Sequence, residues 1–425
     1  MEIQTENLRP RPAQRKKIVE NETISPEKKA VAFKVPEIEE ESRSLLSLMT
    51  TQFSEHKMAV AGLIVILAFV LIAVLAPVIE KVTGLNPEEQ NVFNRYKAPF
   101  TESVLDDSDQ ESKIESYIDA HPEVVAAVEQ YIKNNKIEIA TIDEDPEEVV
   151  FEFMSELKNK KSLKQAQKSA DPMLIGLLDL KKTFKKFHFM GTDELGRDVF
   201  IRLVYGTRVS IGVGLLVAFA SALIGLIIGA IAGVNSGSFI DSLLMRITDS
   251  LLSLPTLPLM IVFTAVDLSK VDFLSSVAAS ENQSVIKLCI ILCLFSWMTV
   301  ARLVRGSILT VKEREFVLAA KTMGASTTNI ILVHMVPNIM APLLVAVTLN
   351  IGSSILSEAA LSFLGLGIQP PTPSWGNMLF NATEIIQQSP SLAIFPGLLI
   401  FIVVISFNYV GDGLQHALDP KAIKR

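Results

Sequence analysis

Val209-SIGVGLLVAFASALIGLIIGAIA-Gly233 runs without a single charged side chain. An apolar run of about 20 residues, rising 1.5 Å per residue as a helix, matches the roughly 30 Å of hydrocarbon in a bilayer. In that medium every backbone N–H and C=O must be bonded within the segment, which leaves the helix as the form open to a single run. Ser221, Gly225, Gly229 and Gly233 recur every fourth residue and so share one helix face. A stripe of small residues lets another helix approach closely, and close packing is what joins helices in lipid. The stretch predicts an all-α polytopic membrane protein, with this stripe as a helix-packing face.

Similar runs lie on both sides of it. Met58–Ile79, Leu243–Val266, Val285–Val304, Ile339–Leu361 and Leu392–Val410 bring the expected spans to six. Of the 425 residues 49% are hydrophobic, too many for an ordinary soluble chain, while 20% are charged, too many for a purely membranous one. The balance implies spans joined by soluble segments. The first run comes after a long polar segment and exceeds a signal-peptide core, so it is a retained anchor.

The run Leu243–Val266 contains Pro255 and Pro258. Each removes a backbone donor, which predicts a kink or break there and a site for a gate. Arg246 and Asp249, three apart, are placed to pair just before it. Cys289 and Cys293 share a helix face, a poor geometry for a disulfide, and no His or acid completes a metal set. They read as small packing residues. Neither a metal nor a cofactor is implied, and no catalytic residue. Ser353, Ser354 and Glu358 lack an intramembrane His, while His188, His334 and His416 look isolated. Ion-coupled carriers carry ionisable groups deep in their spans. The near absence of charge here disfavours that class and leaves a passive channel as the alternative to a driven transporter.

Charge is segregated along the chain. Arg9, Arg11, Arg15, Lys16 and Lys17 crowd the first residues, in a tail over 1–41 expected to be disordered. Leu45, Leu48, Met49, Gln52 and Phe53 then form one helical stripe, as in a short interfacial helix. Arg302, Arg305, Lys312, Arg314 and Lys321 lie between the fourth and fifth runs, and Lys421, Lys424 and Arg425 come after the sixth. Six spans put all three basic regions on one side, which the bias of basic loops makes the cytoplasm. The chain then divides into a tail and interfacial helix over 1–57, the first span over 58–79, an external insertion over 80–187, a membrane core over 188–413, and a tail over 414–425. Within the insertion, Pro122–Ile132 and Pro146–Leu157 have helical period and open with Pro and acids, as helix N-termini prefer. A small, mostly helical, acidic domain is expected there.

Between the fourth and fifth runs lies Leu318-Ala-Ala-Lys-Thr-Met-Gly324, with His334-Met-Val-Pro-Asn338 after it. Glu313, Arg314 and Glu315 open a helix, with acids suited to the positive end of its dipole. Ala319 and Ala320 give that helix a small face, and Gly324 ends it in a left-handed conformation. A second helix is expected over 326–335, with Pro337 marking entry into the next span. A short helix with a small face at the membrane surface suits docking into a partner's cleft.

Ala319-Ala320, then Gly324, then Pro337 resembles the coupling motif of permease subunits in ATP-binding-cassette importers, with Leu318 where that motif usually has an acid. Further stretches are similar to the peptide and nickel importer group. These are Gly191-TDELGR-Asp198 running into Arg202-LVYGT-Arg208, Glu358-AALSFLGL-Gly367 with Pro370-PTPSW-Gly376, and Asn408-YVGDG-Leu414 with Leu418-Asp-Pro420. They recur in order over roughly residues 187–421. One span before the core and five within it fit the second of that group's two permease subunits.

The resemblance implies import of peptides or peptide-like solutes across the inner membrane. Dipeptides, longer peptides, peptide antibiotics and nickel chelates all remain open. It assigns ATPase coupling to the loop 305–338, through Glu315, Ala319, Ala320, Gly324, Ala325 and Pro337. No G-x-x-x-x-G-K-[ST] run occurs, so ATP chemistry falls to ATPase subunits. A second permease chain, a solute-binding protein outside and the bilayer complete the implied partners, and nothing implies nucleic acid.

Overall fold

Backbone groups within an apolar run have only each other to bond, and the runs accordingly fold as helices. The computed structural model describes residues 45–105, 107–135, 146–156, 172–266, 280, 282–380 and 382–418. The basic tail expected over 1–41, Leu157 and the last basic residues, Lys421, Lys424 and Arg425, fall outside the described residues.

The chain enters through α1 (Leu45–Glu55) and the first long helix, α2 (Lys57–Thr83). His56 Nδ1 caps α2 by accepting from Ala59 N at 3.1 Å. Among its residues Ala59, Gly62, Ile66 and Ala76 are buried, leaving a mostly outward apolar surface. Strand β1 (Thr101–Val104) is next. After it come α3 (Asp107–Ala120), α4 (Glu123–Asn135), α5 (Pro146–Glu156) and α6 (Pro172–Thr183), then strand β2 (Lys185–His188). The strands pair antiparallel, Thr101 opposite His188 and Val104 opposite Lys185. This ribbon closes the insertion at its base and is a departure from an all-helical chain. The expected helices at 122–132 and 146–157 appear as α4 and α5, with α3 and α6 beside them.

The four helices of the insertion bury Ile114, Val124, Val128, Val149, Val150, Phe153, Leu174 and Leu177 in a core of their own, separate from that of the spans. The base of the ribbon is pinned to the start of the second long helix. His188 bonds Ser103 Oγ through Nε2 at 2.7 Å and Asp198 Oδ2 through Nδ1 at 2.5 Å. His188 is therefore not isolated, as the sequence implied. Its partner Asp198 also accepts from Ile201 N at 3.0 Å and so caps that helix.

The capped helix, α7 (Val199–Val234), starts well before the apolar run it contains. The run Leu243–Val266 is not one helix. It forms α8 (Phe239–Leu252) and α9 (Thr256–Thr264), which meet at 87°. Pro255, at φ −65°, sits at the break as the residue before α9. Asp249 lies 3.6 Å from Arg302 Nε rather than pairing with Arg246. Both partners are more than half exposed, so this pair contributes little.

Three long helices complete the fold: α10 (Gln283–Lys312), then, beyond the short helix α11 (Glu315–Thr322), α12 (Val336–Phe363) and α13 (Ser391–Leu418). Helices α7, α10, α12 and α13 pack around one core containing Leu203, Ala218, Val300, Val304, Leu343, Ile355, Val403 and Phe407. Helix α2 joins it closely at Gly62, whose missing side chain leaves room for the Ser406 carbonyl. His416 of α13 stacks on His56, ring centres 5.5 Å apart, so it too has a partner. The result is a helical polytopic membrane protein. Five of its described helices are long and apolar enough to cross a membrane, and the bent pair α8–α9 adds a sixth crossing if it forms one span.

Candidate coupling site

The loop between α10 and α12 begins where Glu313 leaves helical geometry and Arg314 turns extended, at φ −77° and ψ 145°. Helix α11 then starts with Glu315 in its first turn and ends with Lys321 in its last, both suited to the helix dipole. Its end is closed by Gly324, at φ +82°, with Ala325 N donating to Ala320 O at 3.1 Å. Nothing lies within 4 Å of the position a β-carbon would take at Gly324. The glycine is required by its backbone angle and not by crowding.

Ser326 Oγ then caps a single turn by accepting from Asn329 N at 3.3 Å. The helix expected over 326–335 is this turn and then a π-helical stretch, Ile330–Met335, that runs without interruption into α12. Thr327 to Phe363 is thus one continuous rod, with the exposed Pro337 near its entry into α12. Wider π turns inside helices are often found at functional sites.

Burial divides the loop into two faces. Val317, Ala320, Ile330 and Met335 point into the main core. Ala319 and Gly324 are exposed, together with Glu315, and Ala325 is half-buried. The two alanines thus do different work: Ala320 seats α11 on the bundle and Ala319 faces out. The loop's exposed apolar surface comprises Phe316, Leu318 and Met323, the last 82% exposed, together with Leu332 and Val333, which the sequence would have pack beside Ile330; of those three only Ile330 is buried. The signal of this surface was present as apolar residues in a loop of otherwise charged and small ones. Leu318 belongs to this outward face.

The small-residue stripe joins the loop to the bundle. Cβ atoms added at Gly225, Gly229 and Gly233 would come within 2.8 Å of α10, at Val300, Ala301 O and Ile308. Ser221 instead meets α12, accepting from Asn350 Nδ2 at 2.9 Å. The stripe therefore holds α7 against the helices that enter and leave the loop. Asp241 of α8 accepts from Arg305 Nε at 2.6 Å and Nη2 at 2.8 Å, and Lys312 Nζ donates to Val234 O at 2.9 Å. These contacts tie the loop-proximal end of α10 to its neighbours. Pro255 and Pro258 lie at the α8–α9 bend, and at the other end of α9 Phe263 packs edge-on against Phe295 of α10 at 5.4 Å.

Ser103, His188 and Asp198 have the order of a hydrolytic triad, yet all three are buried beside a cavity of about 20 Å³. That volume holds about one water molecule and no substrate. Their role is to brace the ribbon. Among the described residues no group of three or more His, Cys, Asp or Glu is placed to hold a metal ion.

Packed helices long and apolar enough to cross a membrane, with a partly exposed loop between two of them, define a polytopic membrane protein. Residues 225–424 match the family model described as the binding-protein-dependent transport system inner membrane component. Residues 44–99 match the N-terminal transmembrane domain of oligopeptide transport permease C. Similar chains include the dipeptide transport system permease protein of Alkalihalophilus pseudofirmus, 41% identical over 55% of this chain and 72% of the relative. The oligopeptide transport system permease protein of Bacillus subtilis is 40% identical over 58% and 76%. The glutathione transport system permease protein of Pectobacterium atrosepticum is 38% identical over 55% and 73%. The chain belongs to the family of binding-protein-dependent transport permeases, inner-membrane proteins that are transport components and not catalysts. Most of the insertion, from residue 100 on, lies outside both matched regions.

Proposed function

We propose that the chain is the second permease subunit of an ATP-driven importer of peptides or peptide-like solutes. Its relatives are named for dipeptide, oligopeptide and glutathione transport, which supports a peptide substrate over a nickel chelate. The observation that carries the proposal is the outward face of α11 and the π turn. Phe316, Leu318, Met323, Leu332 and Val333 form an exposed apolar patch at the end of a rod that continues into a span. Such a patch marks an interaction site, and the partner that fits is an ATPase subunit.

In the proposed cycle, ATP binding closes the ATPase pair and moves α11. The rod from Thr327 to Phe363 and helix α10 carry the displacement to α7 through the glycine stripe, and the bundle reopens outward. Hydrolysis resets it. This is a two-state element biased by a ligand bound elsewhere. The loop and both chain ends lie in the cytoplasm, α8–α9 forms a sixth, broken span, and the insertion lies outside the membrane with the solute-binding protein. A second, homologous permease chain completes the path.

Gly324→Asp tests the proposal. It forces a side chain into the left-handed region and sets a charge on the docking patch. Membrane insertion is expected to persist while ATP-dependent peptide uptake by the assembled complex falls at least about a hundredfold. Normal uptake with normal ATP turnover would contradict the coupling role.

A further inference from the structure

At the end of α12 opposite the coupling loop, the Glu358 carboxylate is fully buried, at 0% exposure. A buried carboxylate ordinarily needs a cation or several hydrogen-bond donors. No Lys, Arg or His pairs with it among the described residues. Three hydroxyls do. Ser374 Oγ donates to Oε1 at 2.8 Å, Ser362 Oγ to Oε1 at 2.9 Å and Ser210 Oγ to Oε2 at 3.1 Å.

Each hydroxyl is committed on its other side. Ser362 Oγ accepts from Ile368 N at 3.1 Å, Ser210 Oγ from Trp375 N at 3.2 Å and Ser374 Oγ from Asn377 N at 3.0 Å. A hydroxyl that accepts a backbone N–H keeps its own proton to donate, and all three hydroxyls lie within hydrogen-bond distance of one carboxyl group. An ionised carboxylate can accept from all three, whereas an amide in its place would have to donate to at least one of these hydroxyls instead. Through it Glu358 fixes three backbone positions of the loop 365–377 and ties that loop to α7 and α12.

The loop has room to move once released. A cavity of about 230 Å³ lies on one side, touching Ile368, Gln369 and Asn377, and one of about 420 Å³ on another, touching Leu366, Gly367 and Thr372. Besides the cluster, Trp375 is buried in the main core and donates from Nε1 to Leu203 O at 3.2 Å, Ile368 is buried in a second core, and Leu366 N donates to Leu361 O at 2.9 Å, so the cluster is the polar part of a wider anchorage.

We propose that Glu358 is a positioning residue for transport, whose carboxylate latches the loop 365–377 at the end of the bundle away from the ATPases. Its effect on uptake rests on the importer function proposed above. The latch itself does not, and the experiment separates the two. The assembled complex in lipid vesicles is compared with Glu358→Gln and Ser374→Ala variants, by hydrogen–deuterium exchange and by peptide taken up per ATP hydrolysed.

In Glu358→Gln, exchange over 366–377 is expected to quicken about tenfold or more while 210–230 in α7 is unchanged. Uptake per ATP is expected to fall about fivefold at unchanged ATP turnover, a split that simple loss of stability would not produce. Ser374→Ala, a milder change, is expected to quicken the same segment less, and it decides the matter should the glutamine variant fail to assemble. Unchanged loop exchange, or equal quickening across α7, would overturn the latch. A quickened loop with unaltered uptake per ATP would overturn its part in transport. Absence of peptide uptake in the unaltered complex would contradict the importer function instead, with loop exchange still deciding the latch.

Discussion

Gly324 and Gly229 show how one residue type is required for two different reasons. Gly324 sits at φ +82° in open space, so a β-carbon there costs conformational strain, about 1 kcal/mol for Ala. Gly229 has ordinary helix geometry, but an added Cβ would lie 2.5 Å from Ala301 O and 2.8 Å from Val304 Cβ. Gly229→Val should therefore prise α7 from α10 and destabilise the bundle by roughly 1–3 kcal/mol or more. A lowered thermal midpoint of the detergent-solubilised chain would show this, and an unchanged midpoint would mean the helices are not so close. Both glycines were legible in the sequence, one from its place after a short helix and the other from its four-residue spacing. The division of labour between Ala319 and Ala320 was not. Adjacent residues on a short helix look alike until the packing of that helix decides which one faces the core.

At the scale of elements, apolar length and period located the long helices, because lipid leaves the backbone no other solution. Their ends were not legible: α7 begins at Val199, where Asp198 caps it, and not at the first charge-free residue. Two Pro residues gave the break between α8 and α9 but not its 87° angle, since a proline removes a backbone bond without fixing the direction the chain then takes. The ribbon was missed because Lys185-Lys-Phe-His188 has no strand alternation of its own and is held by pairing with Thr101–Val104. Helix α3 was missed because its polar sequence offers few apolar residues beyond Ile114, Tyr117 and Ile118. The insertion owns a separate core, so damage there should stay local. Phe153 is 1% exposed, and Phe153→Ala should cost that core about 3–5 kcal/mol. Limited proteolysis is expected to cut within the insertion while α7–α13 stay protected. Cleavage spreading through the spans would contradict its autonomy.

The proposed topology puts the insertion and the coupling loop on opposite sides of the membrane. The acidic α3 and the basic segment from Arg302 to Lys321 then face different compartments. A cysteine placed at Glu111 should react with a membrane-impermeant reagent in intact cells. Protection there, with labelling after the membrane is opened, would reverse the topology. The native thiols offer little background, since Cys289 is buried and Cys293 partly so. Cross-linking from Met323, which stands 82% exposed in the loop between α10 and α12, tests the proposed coupling most directly. With Met323→Cys in the assembled importer, a cross-link to the ATPase subunit is expected, with a yield that changes when ATP binds. A link from position 323 to the solute-binding protein, or an ATPase link from position 111 instead, would contradict it.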